Sequence, residues 1–317
     1  MIPDMWYPVL EARSLPAKRP VAVQRMGERL VMWRGPDGAP VCHLDRCPHR
    51  GVALSLGRIE KDGTLECPYH GFRFDSQGAC TKIPCNGSKP VPRGFALQSW
   101  TVREAHGMIW LWWGQPRAQL PEPPWFDDIA DDWTHTAEAS EDWPLNHVRL
   151  TESFFDIHHF PFAHRSINPG LGPVLDPYEV EVIDDVHIVT RGTMRQEHKT
   201  SGVDFQLEMK FPNLIKLVFG STIRAAVCAT PIDDQRSWVW CRYHQDFLPV
   251  PGLGSFLAWL GVKVEFMIVQ GRQDVPIMKS QTPTQPTPGC DHLVAADKGT
   301  ATYLRLRNHH LRAREAS

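Results

Sequence analysis

The sequence lacks an excess of either charge. Its 317 residues include 34 Lys and Arg against 36 Asp and Glu, which leaves a formal net charge of -2. Proteins that bind DNA or RNA need a basic surface to meet the phosphates, and this balance does not provide one. We therefore expect no nucleic acid among the partners of this protein.

Long apolar runs are also missing. The longest run, Phe256 to Val269, has 14 residues and contains Lys263 and Glu265, whereas a membrane helix needs about 20 apolar residues. The first residues, Met1 to Tyr7, do not combine a basic segment with an apolar one, as an export signal would. We expect no membrane helix and a cytoplasmic location.

Cysteine is too scarce for a disulfide scaffold, because eight cysteines are spread over the whole chain. In a reducing compartment, Cys and His that occur close together are more often metal ligands. The remaining cysteines are expected to be small buried apolar residues. These are Cys42, Cys80, Cys85, Cys228, Cys241 and Cys290.

The distribution of prolines and short apolar runs indicates two domains. From Pro20 to Trp113, apolar runs separated by turn residues predict a small all-β domain. A segment rich in Pro, Asp and Glu follows from Gln115 to Trp133, where neither helix nor sheet is favoured. We place the boundary there, which gives domains 1–120 and 121–317.

The second domain is predicted to be α+β, with helices against one face of an antiparallel sheet. Alternating apolar and polar residues predict six strands, and helical periodicity predicts three helices. The strands are expected at about 178–183, 187–195, 203–210, 214–219, 223–230 and 236–245. The helices are expected at about 145–160, 254–281 and 293–314.

Two Cys and two His in the first domain form the first metal-binding pattern. Cys47 and His49 are one residue apart, and after 17 further residues come Cys67 and His70, two residues apart. Such a set could hold zinc, or a [2Fe-2S] cluster with thiolates on one iron and imidazoles on the other. The one-residue gap is short for zinc, and adjacent Pro and Gly residues provide sharp turns around a bulky cluster. The pattern therefore favours the cluster.

A second pattern lies at the start of the second domain. Glu152, Asp156 and His159 are spaced to share one helix face, and Pro161 is expected to end that helix near Phe160. His164 then follows the break and could turn back toward His159. Two imidazoles with one carboxylate, leaving open positions, are typical of non-haem Fe(II) sites. The alternative is that these His are helix caps or core residues.

The missing carboxylate is expected far along the chain, at Asp274. Met267, Ile277 and Met278 surround it at helical spacing, so the acid would be buried on an apolar stripe and would need a partner such as a metal. A solvent-facing Asp274 remains an alternative. The competing acids are Glu265, Asp246 and Asp291.

Together, the four Cys and His ligands and the Asp156-x2-His159-x4-His164 pattern resemble the catalytic subunit of the Rieske non-haem iron oxygenases. Val52 and Tyr69 stand where respiratory Rieske proteins have extra cysteines, which fits the oxygenase type. Within the family, the chain is similar to the homo-oligomeric monooxygenases. These include aminopyrrolnitrin oxygenases, saxitoxin-pathway hydroxylases and vanillate-type O-demethylases.

The resemblance implies an all-β Rieske [2Fe-2S] domain followed by a helix-grip catalytic domain that holds a mononuclear Fe(II) through His159, His164 and Asp274. It also implies a homotrimer in which electrons pass from the cluster of one subunit to the iron of its neighbour. Asp156 would then link His70 of the adjacent subunit to His159 of its own, as a bridge and not as a ligand.

Oxygen activation needs two electrons per turnover, and the sequence has no flavin or nucleotide fingerprint. A separate NAD(P)H-dependent reductase or ferredoxin is therefore expected as a partner. We interpret the chain as a monooxygenase that uses O2 on a small apolar or aromatic substrate, by hydroxylation, N-oxygenation or demethylation. The alternative is an electron-transfer protein whose second domain only binds a ligand.

Overall fold

The computed structural model describes residues 1–129, 136–166, 170–219, 223–245, 248, 250 and 252–315. The chain divides into two compact units, residues 3–123 and the part from Pro124 onward. The boundary that we placed between residues 120 and 121 falls close to this division. The first unit contains three small sheets, and the second contains one large sheet.

The first unit is built from short antiparallel strands, as its apolar runs predict. Its sheets have the orders β1-β11-β10, β2-β3-β4-β9 and β5-β6-β7-β8. The strands are β1 Met5–Glu11, β2 Val21–Arg25, β3 Glu28–Arg34, β4 Pro40–Leu44, β5 Arg58–Ile59, β6 Leu65–Glu66, β7 Arg73–Phe74, β8 Cys80–Lys82, β9 Ser99–Trp100, β10 Val102–Ala105 and β11 Met108–Trp113. One 3-10 turn each lies at Ala12–Ser14, Leu54–Leu56 and Pro84–Asn86.

The loops that follow β4 and β6 carry the predicted cluster ligands. Beneath them lies an apolar core in which Trp33, Leu65 and Phe74 are fully buried. Cys47 and Cys67 belong to the same core. Because a close-packed core resists displacement, it fixes the position from which both thiols start.

The second unit has a seven-stranded antiparallel sheet with the order β12-β18-β17-β16-β15-β14-β13. Its strands are β12 Thr136–Trp143, β13 Val174–Asp184, β14 His187–Arg195, β15 Gly202–Lys210, β16 Leu214–Phe219, β17 Ile223–Pro231 and β18 Ser237–Gln245. Six of them lie where the alternating pattern predicts strands. β12 was not predicted, because its residues are mostly half-buried or exposed and show no apolar alternation.

Helices cover one face of this sheet. They are α1 His147–Phe154, α2 Phe160–Ala163, α3 Leu253–Val264, α4 Val275–Lys279 and α5 Lys298–Glu315, with a π-helical segment Glu265–Asp274 between α3 and α4 and a 3-10 turn at Ala295–Asp297. A Cβ atom on Gly261 of α3 would lie 3.0 Å from the Tyr243 ring, and one on Gly299 of α5 would lie 3.1 Å from Thr190. Both contacted residues lie on one side of the sheet, which confirms the predicted α+β class.

The prediction of one helix over about 145–160 was wrong. Asn146 caps α1 by accepting the Val148 N–H at 2.9 Å, but α1 ends at Phe154. The Asp156 carboxylate then accepts the His158 N–H at 2.8 Å, a local bond that competes with continued helix. Pro161 does not end a helix; it lies in the first turn of α2, where proline is tolerated.

The helix from Leu253 to Lys279 is longer than the apolar run that the sequence shows. Its 27 residues, with a mean hydropathy of 1.4 over the best window, would suffice to cross a membrane by length and composition. Helical periodicity predicted a helix over about 254–281, which the structure confirms, whereas the expectation of no membrane helix considered only the 14-residue apolar run inside it. About a third of that window is buried within the protein. Length and composition alone are weak evidence for a membrane span, because core helices of soluble proteins pass the same test.

The six remaining cysteines are not all buried. Cys42, Cys228 and Cys241 are buried, as expected. Cys80 and Cys290 are partly exposed, and Cys85 is exposed, so for these three the expectation was wrong. All three lie in short strands or turns near the surface, where an apolar residue finds less to pack against.

His43 gives the first unit a pH-dependent stability. Its Nδ1 lies 2.7 Å from Ser99 Oγ, and burial lowers its pKa to about 4. Because the unfolded chain binds the proton near pH 6.5, stability should fall as the pH drops from 6.5 toward 4. Between pH 7 and 5 we expect a loss of about 2 kcal/mol from this residue.

The measurement is the urea unfolding free energy of the wild type and of His43→Asn at both pH values. The Asn side chain retains hydrogen bonding to Ser99 but does not titrate. An equal pH dependence in both proteins would contradict the assignment to His43.

Candidate metal centres

The two loops of the first unit share one hydrogen-bond pattern. In the first loop, the Cys47 N–H donates to Val52 O and the Gly51 N–H donates to Cys47 O, both at 2.8 Å. The second loop repeats both bonds, from Cys67 to Phe72 at 2.8 Å and from Gly71 to Cys67 at 3.1 Å. Gly51 and Gly71 have φ angles of 73° and 70°, a region that glycine adopts without steric cost. The turns that the sequence predicted are therefore present.

The thiols and imidazoles of these loops differ in burial. Cys47 and Cys67 are each 2% exposed, and their side chains hydrogen-bond each other. His49 and His70 are exposed, with ring centroids 4.8 Å apart. Burial raises the pKa of the Cys47 thiol to about 11, so only a bound metal would make this residue a thiolate at neutral pH. Two adjacent thiols and two adjacent imidazoles fit a [2Fe-2S] cluster with its imidazole side outward.

Aromatic rings support the imidazole side of this centre. The His49 ring stacks on Phe72, with 4.7 Å between centroids and 5° between planes. The exposed Tyr69 ring lies 3.9 Å from that of His70. All eight cysteines are free thiols, so no disulfide shields these loops.

Three side chains of the second unit converge at another point. His159, His164 and Asp274 each offer a ligand atom, and these atoms lie within 4.8 Å of one another. Asp274 Oδ1 is 3.8 Å from His159 Nε2 and 3.3 Å from His164 Nε2. The single turn of α2 brings the two imidazoles together, and the π-helical segment supplies the acid at its end.

The second nitrogen of each imidazole is held by another residue. His159 Nδ1 lies 3.1 Å from Asp156 Oδ2, and His164 Nδ1 lies 2.8 Å from Gln273 Oε1. A proton on each Nδ1 leaves Nε2 as a lone-pair nitrogen directed at Asp274. Among the described residues, the buried His164 Nε2 has no hydrogen-bond partner. A nitrogen in this state fits a metal ligand.

The carboxylates at this point carry opposite pKa shifts. Burial raises the pKa of Asp274 to about 7; Glu265 and Asp156 also raise it, whereas His159 lowers it. Burial also disfavours charge on Asp156, but hydrogen bonds from His158 and His159 outweigh it and hold the pKa well below its usual range. The positive charge near Asp274 is therefore too weak to offset its burial, and a divalent cation would supply the missing charge.

The family model of the Rieske [2Fe-2S] domain matches residues 5–101, the segment that contains both loops. Chlorophyllide a oxygenase of Chlamydomonas reinhardtii is 33% identical over 208 residues, or 60% of this chain and 31% of that protein. Aminopyrrolnitrin oxygenase PrnD of Pseudomonas fluorescens is 32% identical over 187 residues, or 57% of this chain and 49% of that protein. Residues 5–101 of the chain form a Rieske [2Fe-2S] domain, and the chain is similar to Rieske oxygenases.

Solved structures of the Rieske oxygenase fold extend the likeness over the whole chain. Dicamba monooxygenase bound to dicamba superposes with a TM-score of 0.77 at 20% identity and covers 100% of this chain and 99% of its own. At this identity the match shows the fold. The curated relatives named above match this chain over 31% to 49% of their own length.

Rieske oxygenases carry a [2Fe-2S] cluster and a mononuclear iron. The Cys47, His49, Cys67 and His70 set has the donors that the cluster needs, and the orphan His164 Nε2 lies where an iron ligand is needed. Both donor sets in this chain therefore fit the groups that the family carries.

The competing acids do not join the three converging ligands. Asp291 pairs with Arg149 at 2.7 Å, and Glu152 pairs with the same guanidinium at 3.0 Å. Glu265 is not among the mutually close ligand atoms in the described part of the chain. Asp246 lies outside the described residues.

Asp274 is buried as predicted, but not on the predicted apolar stripe. Asp274 and Met278 are buried, but Met267 and Ile277 are 57% and 53% exposed. The buried side of this helix instead contains Val262, Phe266, Gln270, Asp274 and Met278, one residue in every four. The stripe that we assumed followed α-helical geometry, whereas the segment is π-helical.

Sequence reasoning missed two residues that hold this centre. Gln273 orients His164, and its Nε2 also donates to Ser166 Oγ at 2.9 Å. His158 Nδ1 lies 2.7 Å from Asp156 Oδ1, so Asp156 faces two imidazoles and not one. Only the proximity of these residues to Asp274 and His159 in the sequence pointed to them.

Removing the Asp274 side chain should empty the mononuclear iron site and leave the cluster in place. In Asp274→Ala we expect one iron per chain to be lost, while the visible and EPR spectra of the cluster persist, because the cluster ligands lie in the other unit. Iron and acid-labile sulfide analysis measures this, with the exposed Glu181→Ala as a control. An unchanged iron content would show that another acid is the ligand.

Proposed function

We propose that this protein is a monooxygenase that uses O2 and externally supplied electrons to oxidise a small apolar or aromatic substrate. The observation that carries the proposal is the convergence of His159, His164 and Asp274 in a chain that also holds the four Rieske ligands. An electron carrier would not need the second set. The orphan His164 Nε2 also weighs against a purely ligand-binding second domain.

In this proposal, His159, His164 and Asp274 hold a mononuclear Fe(II), and Cys47, His49, Cys67 and His70 hold the cluster. The iron, when bound by three protein ligands, supplies O2 activation at its open positions. Asp156 and Gln273 keep both imidazoles in the tautomer that presents Nε2. These two are positioning residues.

A depression beside the three iron ligands supports electron delivery from a second copy of the chain. It has a volume of about 520 Å³ and is lined by Asp156, His159, Asp274 and the exposed, apolar Phe162. Further acids on its lining are Glu152, Asp291 and Asp297. Arg149 also lines the depression and pairs with Glu152 and Asp291, which leaves Asp156, Asp274 and Asp297 as the other acids there. The exposed loop that carries His49 also carries Arg46 and Arg50, so the two surfaces are complementary in charge.

We infer that the cluster loops of a second copy dock in this depression, which requires an oligomer, and we propose the homotrimer. A separate NAD(P)H-dependent reductase or ferredoxin would reduce the cluster, as for Rieske oxygenases in general. We further propose a cytoplasmic location. In this proposal the helix 253–279 does not span a membrane. It belongs to the catalytic unit, because its Asp274 lies beside His159 and His164.

The reaction type within the class is hydroxylation, N-oxygenation or demethylation. The name of PrnD indicates an oxygenase of aminopyrrolnitrin, and the structural neighbour named above is a monooxygenase bound to dicamba. Both names concern small aromatic compounds. They support an aromatic substrate for this chain but do not decide among hydroxylation, N-oxygenation and demethylation.

The test of this proposal is oxygen uptake by the metal-loaded protein with NADH and a surrogate reductase, across a panel of small aromatic compounds. We expect substrate-dependent uptake, with a product that is one oxygen heavier or lacks a methyl group by mass spectrometry. Metal analysis should give about three irons per chain. Two irons and no substrate-dependent uptake would favour the electron-transfer protein.

Asp156 provides a test of electron transfer between subunits. In Asp156→Asn the side chain keeps its size but loses the charge that attracts the imidazoles of His159 and of His70 in the adjacent subunit. We therefore expect the single-turnover product to fall by orders of magnitude although both metal centres remain loaded. The control is Asp142→Asn, at an exposed position of β12.

Iron content, melting temperature and single-turnover yield are measured on the same preparation. A lowered melting temperature with full yield would mean that Asp156 only supports the fold. A fully active monomeric wild type would rule out the route between subunits.

A further inference from the structure

The outward side of the helix from Leu253 to Lys279 is apolar. Seven large apolar residues on this side are between 37% and 57% exposed, and they recur at the three- and four-residue steps of one helix face. They are here called the apolar ridge and are Leu253, Phe256, Trp259, Leu260, Val264, Met267 and Ile268. Contiguous exposed apolar surface of this extent marks contact with a partner or a membrane.

The opposite side of the helix holds it on the sheet. Ala258, Val262 and Phe266 are buried, and Gly261 lies so close to the Tyr243 ring of β18 that an added Cβ atom would be 3.0 Å from it. The helix is therefore fixed to the catalytic unit by its inner side. The side that remains turned outward is the one that carries the apolar ridge.

The charges of the helix are divided between these two sides. Glu265 accepts a hydrogen bond from Gln270 at 3.0 Å, and Asp274 is buried beside the two imidazoles, so both acids are engaged within the unit. Across this described stretch, three charged residues are exposed, and all of them are basic: Lys263, Arg272 and Lys279. An outward side that is apolar and positively charged complements a layer of anionic lipid headgroups.

Two features of the apolar ridge favour a lipid surface over a protein surface. The rings of Phe256 and Trp259 stack, with 5.8 Å between their centroids, and aromatic rings prefer the boundary between headgroups and acyl chains. Lys263 lies within the ridge, three residues after Leu260 and four before Met267. Its flexible stem lets the ammonium reach lipid phosphates, whereas in a protein interface the same charge would need an acid as its partner.

A second copy of the chain is the alternative occupant of the apolar ridge. A convex helix ridge packs tightly on a protein only where the partner offers a matching apolar groove. Two cavities formed by described residues, of about 520 and 530 Å³, are bordered by charged side chains, among them Asp156 in the first and Arg191 in the second. Neither matches the ridge, whereas a fluid bilayer needs no preformed groove.

We propose that the apolar ridge binds the surface of an anionic lipid bilayer, with the helix parallel to the membrane plane. The rings of Phe256 and Trp259 lie among the first carbons of the acyl chains, and Lys263, Arg272 and Lys279 contact the phosphates. The helix does not cross the bilayer, because its inner side packs on the sheet. This binding goes beyond the proposed function and does not depend on it.

The experiment is co-sedimentation of the full, metal-loaded protein with vesicles of phosphatidylcholine, either pure or mixed with phosphatidylglycerol, without reductase or substrate. We expect the wild type to bind the mixed vesicles about tenfold or more tightly than the pure ones, and to bind less as salt is added. In the double variant Phe256→Gln/Trp259→Gln, and separately in Lys263→Glu, the affinity for mixed vesicles should fall by about tenfold or more.

Two control variants change similar side chains elsewhere on the chain. Ile183→Gln removes an apolar side chain of β13 that is 54% exposed, and Lys61→Glu reverses an exposed charge of the first unit. Both should keep the wild-type affinity for vesicles. Absence of vesicle binding in the wild type, or an equal loss in the controls, would overturn the inference. If the double variant does not fold, Lys263→Glu decides alone.

Sedimentation velocity without lipid tests the alternative occupant. If the ridge variants keep the wild-type oligomer and lose vesicle binding, the lipid surface is supported. If they dissociate the oligomer, the apolar ridge is an interface between copies and the inference is wrong. Neither measurement uses oxygen uptake, so a failure of the monooxygenase proposal would leave this result unchanged.

Discussion

A carboxylate buried between two imidazole nitrogens is the constraint on which the second unit depends. Asp274 is 9% exposed and lies within 4 Å of two Nε2 atoms. Because Asp156 and Gln273 hold the Nδ1 side of each ring, the Nε2 atoms are left to face Asp274. A buried carboxylate in such a place costs several kcal/mol unless a cation lies beside it.

The π-helical segment explains how one side of this helix stays buried along its length and carries Asp274 to the two imidazoles. In an α-helix, residues four apart are displaced by about 40° per step, so a buried line of such residues would wind away from the sheet. Here the line from Val262 to Met278 stays buried over four such steps. The π-helical segment is underwound relative to an α-helix, so a step of four residues there drifts in the opposite sense and offsets the drift of the flanking α-helical turns.

The sequence could predict those parts of the structure in which residue type alone determines the local backbone geometry. The four cluster ligands follow from turns whose Gly51 and Gly71 need positive φ, and six strands of the large sheet follow from alternation. The break of α1 after Phe154 was missed, because it depends on the Asp156 side chain bonding to the His158 N–H. β12 was missed, since an edge strand with mostly polar residues carries no periodic signal. The role of Gln273 depends on a residue 109 positions away and leaves no local pattern.

The hydrogen-bond capacity of Asp156 limits what else this residue can bind. A carboxylate has about four acceptor sites, two on each oxygen. Oδ1 faces both the His158 N–H and the His158 imidazole, and Oδ2 faces His159 Nδ1. One site on Oδ2 is left, which suffices for a single N–H from a second copy, such as that of His70. His70 belongs to the exposed imidazole side of its centre while the thiols are buried. In the proposed route between subunits, the side that would meet Asp156 is therefore also the side by which electrons would leave the cluster.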